Sequence, residues 1–111
     1  PRVIRALDCI RRHALKQGLS TTDVVAAMGC SRRLATASFR KAVGHSILDE
    51  IQSRRFDEVL RLLRNPHQQI EAIASRCGYG APSFLKRFFK KRTGLSMRAW
   101  RKREGARGEK A

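Results

Sequence analysis

The stretch Phe39-Arg40-Lys41-Ala42-Val43-Gly44-His45-Ser46 has a similar copy later in the chain. The copy is Phe89-Lys90-Lys91-Arg92-Thr93-Gly94-Leu95-Ser96, at an offset of 89 − 39 = 50 residues. Upstream, the segment 23–25 and Gly29 correspond to the segment 72–74 and Gly78, at an offset of 78 − 29 = 49 residues. The second copy therefore carries one extra residue in its turn. A short helix, a glycine turn and a second helix form a helix-turn-helix unit, so the repeat predicts two such units.

The remaining pattern is helical throughout. Apolar residues recur at intervals of three and four, and no strand-like alternation interrupts them. Between the two copies, Ser46 and Asp49 form a capping box that opens a linker helix from Ile47 to Arg64, about 27 Å long. We therefore predict an all-α fold of about seven helices. Its predicted parts are a first helix-turn-helix lobe at 1–45, the linker helix at 46–65, a second helix-turn-helix lobe at 66–103 and a flexible basic tail at 104–111.

The charge balance limits the kind of partner. The chain has 25 Lys and Arg residues against 9 Asp and Glu residues, a formal net charge of +16. Such an imbalance is typically compensated by a polyanion, which favours nucleic acid over a membrane surface or an acidic protein. No apolar run approaches the roughly 20 residues that span a bilayer, and no signal peptide is visible. We expect a cytoplasmic protein without a membrane partner.

Cysteine and histidine residues give no sign of a metal site or of catalysis. The three cysteines and three histidines are scattered without the spacing of zinc ligands, so we expect no metal, no cofactor and reduced thiols packed as small apolar groups. No P-loop, paired carboxylate site or Ser/His/Asp pattern occurs, and we expect no catalytic residues. The first residue is Pro1 instead of Met, so we expect the chain to be a fragment or a processed piece of a longer protein.

The second helix of each unit has an apolar inner face and a basic or small polar outer face. The inner face holds Phe39 in one copy and Phe89 in the other. The outer residues at helical spacing are Arg33, Thr36, Ala37 and Arg40, and fifty residues later Ser83, Lys86, Arg87 and Lys90. Such a helix fits the major groove of double-stranded DNA, which is about 12 Å wide. We expect the other aromatic side chains, Phe56, Phe84, Phe88 and Trp100, to lie in the core.

Individual side chains have different expected roles. Arg87 is the leading candidate for a base contact, because its charge and its face agree, followed by Arg33 and Lys86. The expected phosphate contacts are Arg40, Lys41, Arg55, Lys90 and Lys91. For Arg55 an alternative is an ion pair with Asp57 or Glu58. The linker length approaches the roughly 34 Å of one DNA turn, so one chain could enter two successive major grooves.

Several motifs lie where one known family has them: Asp23-Val24-Val25 to Gly29 and Ser31; Phe39-Arg40-Lys41, Gly44 and Ser46; Arg55-Phe56-Asp57-Glu58-Val59 with Leu62-Leu63; and Ile73-Ala74, Gly78-Tyr79, Ser83-Phe84-Leu85, Arg87, Phe89-Lys90-Lys91, Gly94, Ser96 and Trp100-Arg101. With them the chain resembles, from residue 5 to residue 103, the DNA-binding domain of the AraC/XylS family of bacterial transcription regulators. The resemblance implies two lobes that each insert one helix in a major groove. By position, it places the base contacts at Arg32, Arg33, Thr36, Ala37, Pro82, Ser83, Lys86 and Arg87.

The chain departs from the family pattern in the first lobe. Leu34 stands where the family usually has a polar residue facing DNA, and Ala35 replaces a large core leucine. Leu34 either packs inward or offers an apolar contact to DNA. The run Ser31-Arg32-Arg33 with Arg55-Phe56 resembles the xylose-responsive members of the family, which implies a sugar effector bound by a domain absent from this chain.

Other functions compete with sequence-specific regulation. A non-specific nucleic-acid packing protein or an RNA binder would show binding indifferent to sequence, and exposed aromatic residues are sparse for that role. The family's domain also occurs in DNA-repair proteins that accept an alkyl group on a cysteine, but no cysteine here has a neighbour that would activate it. A contact with RNA polymerase is compatible with the regulatory function.

Overall fold

The structure, a computed structural model, describes the backbone of residues 1–110 and the side chains of residues 1–105. Over this part the chain forms seven helices and no strand, which confirms the predicted all-α fold. The helices are α1 (Arg2–His13), α2 (Thr21–Met28), α3 (Arg32–Val43), α4 (Ile47–Leu63), α5 (Ile70–Arg76), α6 (Pro82–Thr93) and α7 (Met97–Lys110).

Short polar motifs begin the helices of the first half. Ser20 and Asp23 form a capping box at α2, and Ser46 and Asp49 form another at α4. In each box the serine oxygen accepts the backbone N–H three residues on, and the carboxylate accepts the N–H of the serine. The Ser31 side chain caps α3 in a similar way. These contacts satisfy amide groups that have no partner inside the helix, and the box at Ser46 and Asp49 confirms the predicted start of α4.

Two hydrophobic clusters divide the molecule, and α4 contributes to both. Ile47 and Ile51 from the first half of α4 pack with α1, α2 and α3 around Phe39. Phe56 and the following apolar residues of α4 pack with α5, α6 and α7 around Phe89 and Trp100. The linker helix is therefore built into both lobes along its whole length, where we had expected a spacer between them.

The end of α4 is held by the last helix. The Nε atom of Arg101 in α7 donates to the carbonyl oxygen of Leu63 at 2.9 Å, and its Nη2 atom donates to that of Leu62 at 3.4 Å. Both acceptors belong to the last turn of α4, whose carbonyl groups have no partner within the helix. Arg64 lies over the Trp100 ring at 5.5 Å from its centroid. These contacts fix α7 against α4.

The structure continues α7 to Lys110, whereas the sequence predicted a helix to about Arg103 and a tail over 104–111. No proline or capping motif ends the helix at Arg103, and Arg, Lys, Glu and Ala are good helix formers. Gly105 and Gly108 are weak helix formers that the regular backbone accommodates. Residue 111 lies outside the described residues.

Replacing Phe39 with alanine should strongly destabilise the chain. The side chain is fully buried in the first cluster, and deleting such a side chain costs about 3–5 kcal/mol of unfolding free energy. Leu34→Ala on the same helix is the matched control, because Leu34 is exposed and we expect a change below about 1 kcal/mol. Urea unfolding followed by circular dichroism measures both. Equal losses in the two variants would contradict the packing described here.

Candidate nucleic-acid interface

Helices α3 and α6, which we call the two reading helices, are structural copies of each other. Both have 12 residues, and both end at a glycine in the left-handed conformation, Gly44 with φ 96° and Gly94 with φ 81°. From Ser31 to Gly44 and from Ala81 to Gly94, the order of buried, half-buried and exposed positions is the same. Residues that lie 50 positions apart in sequence therefore have the same burial in the two helices.

The beginnings of the two reading helices differ. Ser31 caps α3, and its side chain accepts from the N–H of Leu34 at 3.2 Å. Ala81 precedes α6 without a side-chain cap, and Pro82 occupies the first turn instead. Proline suits that turn because its nitrogen carries no hydrogen that would need an acceptor. Two different local solutions therefore produce helices of the same length.

The outer surfaces of the reading helices carry only positive charge. Neither helix contains an acidic residue. Their basic residues are Arg32, Arg33, Arg40 and Lys41 in α3, and Lys86, Arg87, Lys90, Lys91 and Arg92 in α6. Every one of these side chains is exposed. The positive N-terminal ends of the helix dipoles add to this charge, so each surface suits an anionic backbone.

All residues predicted to contact bases are exposed on these surfaces. The set is Arg32, Arg33, Thr36 and Ala37 on α3, with Pro82, Ser83, Lys86 and Arg87 on α6. The buried positions between them are Ala35 and Phe39 in one helix and Leu85 and Phe89 in the other. Burial of these four positions orients each helix and turns the predicted contacts outward. The roles of the exposed residues stay predictions.

Arg32 already has a partner in the free protein. Its Nη2 atom donates to the Thr22 hydroxyl at 2.7 Å, which links the first turn of α3 to α2. Both side chains are exposed, so the hydrogen bond competes with water and with any incoming acceptor. The guanidinium is thereby held near the N-terminus of its reading helix.

Arg55 has a different environment from the two predicted ones. Its Nε atom donates to the carbonyl oxygen of Ala14 at 2.7 Å, and its Nη2 atom donates to those of Lys16 and Leu19 at 3.5 and 3.4 Å. These carbonyl groups belong to the loop that follows the end of α1. Carbonyl groups at the end of a helix have no acceptor role inside it and need other donors. The structure thus gives Arg55 an internal role where the sequence suggested a phosphate contact or an ion pair with Asp57 or Glu58. The local pattern could not indicate it because the acceptors lie 36 to 41 residues away in sequence.

Leu34 and Phe84 are equivalent exposed apolar residues, one on each reading helix. They share the 50-residue offset, and their side chains are 42% and 46% exposed. Leu34 therefore does not pack inward, and its contact with DNA stays a prediction. The expectation that Phe84 lies in the core is wrong, because the inward positions of α6 are taken by Leu85 and Phe89. The sequence left the orientation of Leu34 open, so the repeat could not reveal that Phe84 is exposed.

Ring contacts hold Phe84 in place on the surface. Its ring is stacked on that of Phe88 at a centroid distance of 6.0 Å and an interplanar angle of 16°. Tyr79 flanks it at 6.2 Å, and Phe88 packs in turn edge-on to Phe56 at 6.0 Å. An aromatic group on the outer surface of α6 is thus supported from below by the second core.

Two carboxylates outside the reading helices, those of Asp8 and Glu58, are paired with arginine. Asp8 in α1 pairs with Arg11 at 2.8 Å and Arg12 at 3.0 Å, and Glu58 in α4 pairs with Arg61. The hydrogen bond from Arg11 and the charge of both arginines keep the pKa of Asp8 below its usual value, against a smaller opposing effect of desolvation. A shallow groove of about 300 Å³ between α1 and α4 is lined by residues of both charges. It offers no uniformly basic surface.

The environments of Cys9 and Cys77 do not favour a nucleophilic thiolate. Burial raises the pKa of Cys77 to about 12, and burial together with Asp23 and Asp8 raises that of Cys9. Activation of a thiol requires the opposite shift. Among the described residues, no three His, Cys, Asp or Glu side chains come together as a metal site, and no helix is long and apolar enough to cross a membrane.

Known proteins are similar to this chain in sequence. A helix-turn-helix domain family matches residues 24–103. The xylose operon regulatory protein of Escherichia coli K12 is 33% identical over 91 residues, which are 82% of this chain and 23% of that protein. The multiple antibiotic resistance protein MarA of Salmonella typhimurium is 32% identical over 76 residues, covering 68% of this chain and 60% of that protein.

Solved structures share the fold. The DNA-binding domain of AdpA, a global transcriptional factor solved in complex with a target DNA, superimposes with a TM-score of 0.87 at 24% identity, covering 99% of this chain and 98% of that one. The xylose-binding transcription activator XylR superimposes with a TM-score of 0.77 at 30% identity, over 92% of this chain and 27% of that one. The present chain thus spans about a quarter of the xylose regulators that it matches.

Proposed function

We propose that this chain, which belongs to the AraC/XylS family of helix-turn-helix domains, binds double-stranded DNA sequence-specifically and thereby regulates bacterial transcription. One observation carries the proposal. Two reading helices with the same exposure pattern, no acidic residue and outward basic side chains occur in one chain. Each has the dimensions of a helix that enters a major groove.

The proposed site has two sets of residues, one for base contacts and one for phosphate contacts. Base contacts come from Arg32, Arg33, Thr36 and Ala37 of α3, and from Ser83, Lys86 and Arg87 of α6. Phosphate contacts come from Arg40, Lys41, Lys90 and Lys91 in the last turns of the same helices. Arginine pairs with guanine through two hydrogen bonds, whereas lysine on a helix flank neutralises phosphate whatever the sequence. Arg55 is not part of this set, because its donors face the α1–α2 loop.

The proposal places the first lobe at 1–45, the linker at 46–65 and the second lobe at 66–103, with the two reading helices in successive major grooves. The likeness to xylose regulators supports an effector-responsive protein whose sugar is bound by a domain outside this chain. Regulation of transcription further implies a cytoplasmic, nucleoid-associated protein and a contact with RNA polymerase.

Selection of binding sites from a random DNA pool at near-physiological salt tests the function directly. We expect two enriched sequence blocks about one helical turn, or roughly 10 base pairs, apart. One block would mean that a single lobe reads bases while the other holds the backbone. Tight, salt-sensitive binding without any enrichment would replace the proposal with non-specific nucleic-acid packing.

Arg87→Ala and Lys91→Ala should have different effects, although both remove one positive charge from α6. The Arg87 variant should lose about 1–3 kcal/mol of binding free energy and relax the preference at one base position. The Lys91 variant should weaken binding to all sequences alike and reduce the salt slope by about one unit. Titrations of single-base variants of the selected site at several salt concentrations measure both effects. An unchanged base preference in the Arg87 variant would reject it as a reading residue.

Leu34 and Phe84 are proposed as apolar contacts to thymine methyl groups. They lie at equivalent positions in the first turn of the two reading helices, next to the basic side chains. Apolar side chains in the major groove recognise the 5-methyl group, which distinguishes thymine from the other bases.

Replacing thymine with uracil at single positions of the selected site removes only that methyl group. We expect one position in each block at which this change weakens binding several-fold, about 1 kcal/mol. Leu34→Ala should abolish the effect in the first block and leave it in the second, and Phe84→Ala should do the reverse. Each variant is thus the control for the other. Equal sensitivity of all three proteins to uracil would contradict the contact.

A further inference from the structure

Arg55 lies at the junction between the two lobes. In α4 it follows Ile51, the last residue of the first hydrophobic cluster, and immediately precedes Phe56, the first residue of the second. Its side chain extends to the first lobe, where three carbonyl groups of the loop between α1 and α2 accept its hydrogen bonds. Arg55 is half-buried, and its hydrogen bonds to Ala14 and Leu19 are partly shielded from water.

The second lobe meets the same guanidinium through Gly78. This glycine, in the turn before α6, has φ +88°. A Cβ atom there would lie 2.7 Å from the Ala14 carbonyl oxygen and 2.9 Å from Arg55 Nε. The backbone of the second lobe thus rests directly on the Arg55–Ala14 hydrogen bond. A side chain at this position would push the turn away.

A second glycine extends the contact. A Cβ atom on Gly80 would lie 3.2 Å from Nε2 of Gln17, which also belongs to the α1–α2 loop. The turn from Gly78 to Gly80 leads into α6 at Pro82. The start of the second reading helix is therefore seated on a loop of the first lobe.

We propose that Arg55 and Gly78 form an interlobe latch that fixes α6 relative to α3, and so sets the number of base pairs between the two sequence blocks that the chain accepts. This inference rests on the proposed DNA-binding function. Arg55 acts as a positioning residue: it orients the lobes and contacts no base. Without the latch, fewer contacts support α4 in joining the two cores, and bending and twisting between the lobes are less restricted.

The experiment varies the spacing between the two selected blocks. DNA duplexes carry both blocks with spacers shortened or lengthened by one and two base pairs, and a further duplex carries one block alone. The wild-type chain should prefer the best spacer about tenfold over its neighbours, and Arg55→Ala should reduce this ratio to about twofold. Binding to the single block should be unchanged. Arg54→Ala is the matched control, since it removes an exposed arginine from the adjacent position of the same helix.

Gly78→Ala tests the latch from the other side. The added methyl group should displace the turn, and either move the preferred spacing or flatten the preference. A purely stabilising role of Arg55 would lower the melting temperature and leave the spacing ratio at the wild-type value, which would overturn the inference. If Arg55→Ala does not fold by circular dichroism, Arg55→Lys replaces it. Lysine keeps the positive charge but has one ammonium nitrogen in place of the separate Nε and Nη2 donors, and the same spacing ratio decides. Absence of any block selection by the wild-type chain would instead reject the proposed function.

Discussion

A single helix, α4, completes both hydrophobic cores of this chain. Its first half closes the cluster around Phe39, and its second half closes the cluster around Phe89 and Trp100. Neither lobe can bury its apolar face without it, so the helix is part of both folding units. The capping box at Ser46 and Asp49 fixes where α4 begins, and Arg101 satisfies the carbonyl groups where it ends. Because α4 packs in both cores, it determines how the reading helices α3 and α6 are placed relative to each other.

Local signals in the sequence were sufficient to predict most of the architecture. The capping boxes, the glycines at Gly44 and Gly94 and the apolar spacing act within a few residues, so they can be recognised without a structure. The repeat then implied that α3 and α6 would present equivalent surfaces, and the same exposure pattern is found in both. The end of α7 was harder to predict, because ordinary helix formers continue past Arg103 without a terminating motif.

The features that could not be predicted depend on contacts between distant parts of the chain. Arg55 looks like an exposed basic residue by its neighbours in sequence, and only packing of the α1–α2 loop against α4 reveals its carbonyl acceptors. Phe84 has the spacing of a core aromatic, but the direction in which α6 packs places Leu85 inward and Phe84 outward.

The two reading helices are copies in shape but differ in chemistry. α3 begins with Arg32-Arg33-Leu34, whereas α6 begins with Pro82-Ser83-Phe84. A twofold-symmetric dimer reads a palindrome, since it presents the same residues in both directions. This chain repeats its units in the same order along one polypeptide, and the two units are unequal, so the DNA site of the proposed function has a direction. Inverting such a site relative to a promoter would turn the whole molecule around and present its opposite end to the start of transcription.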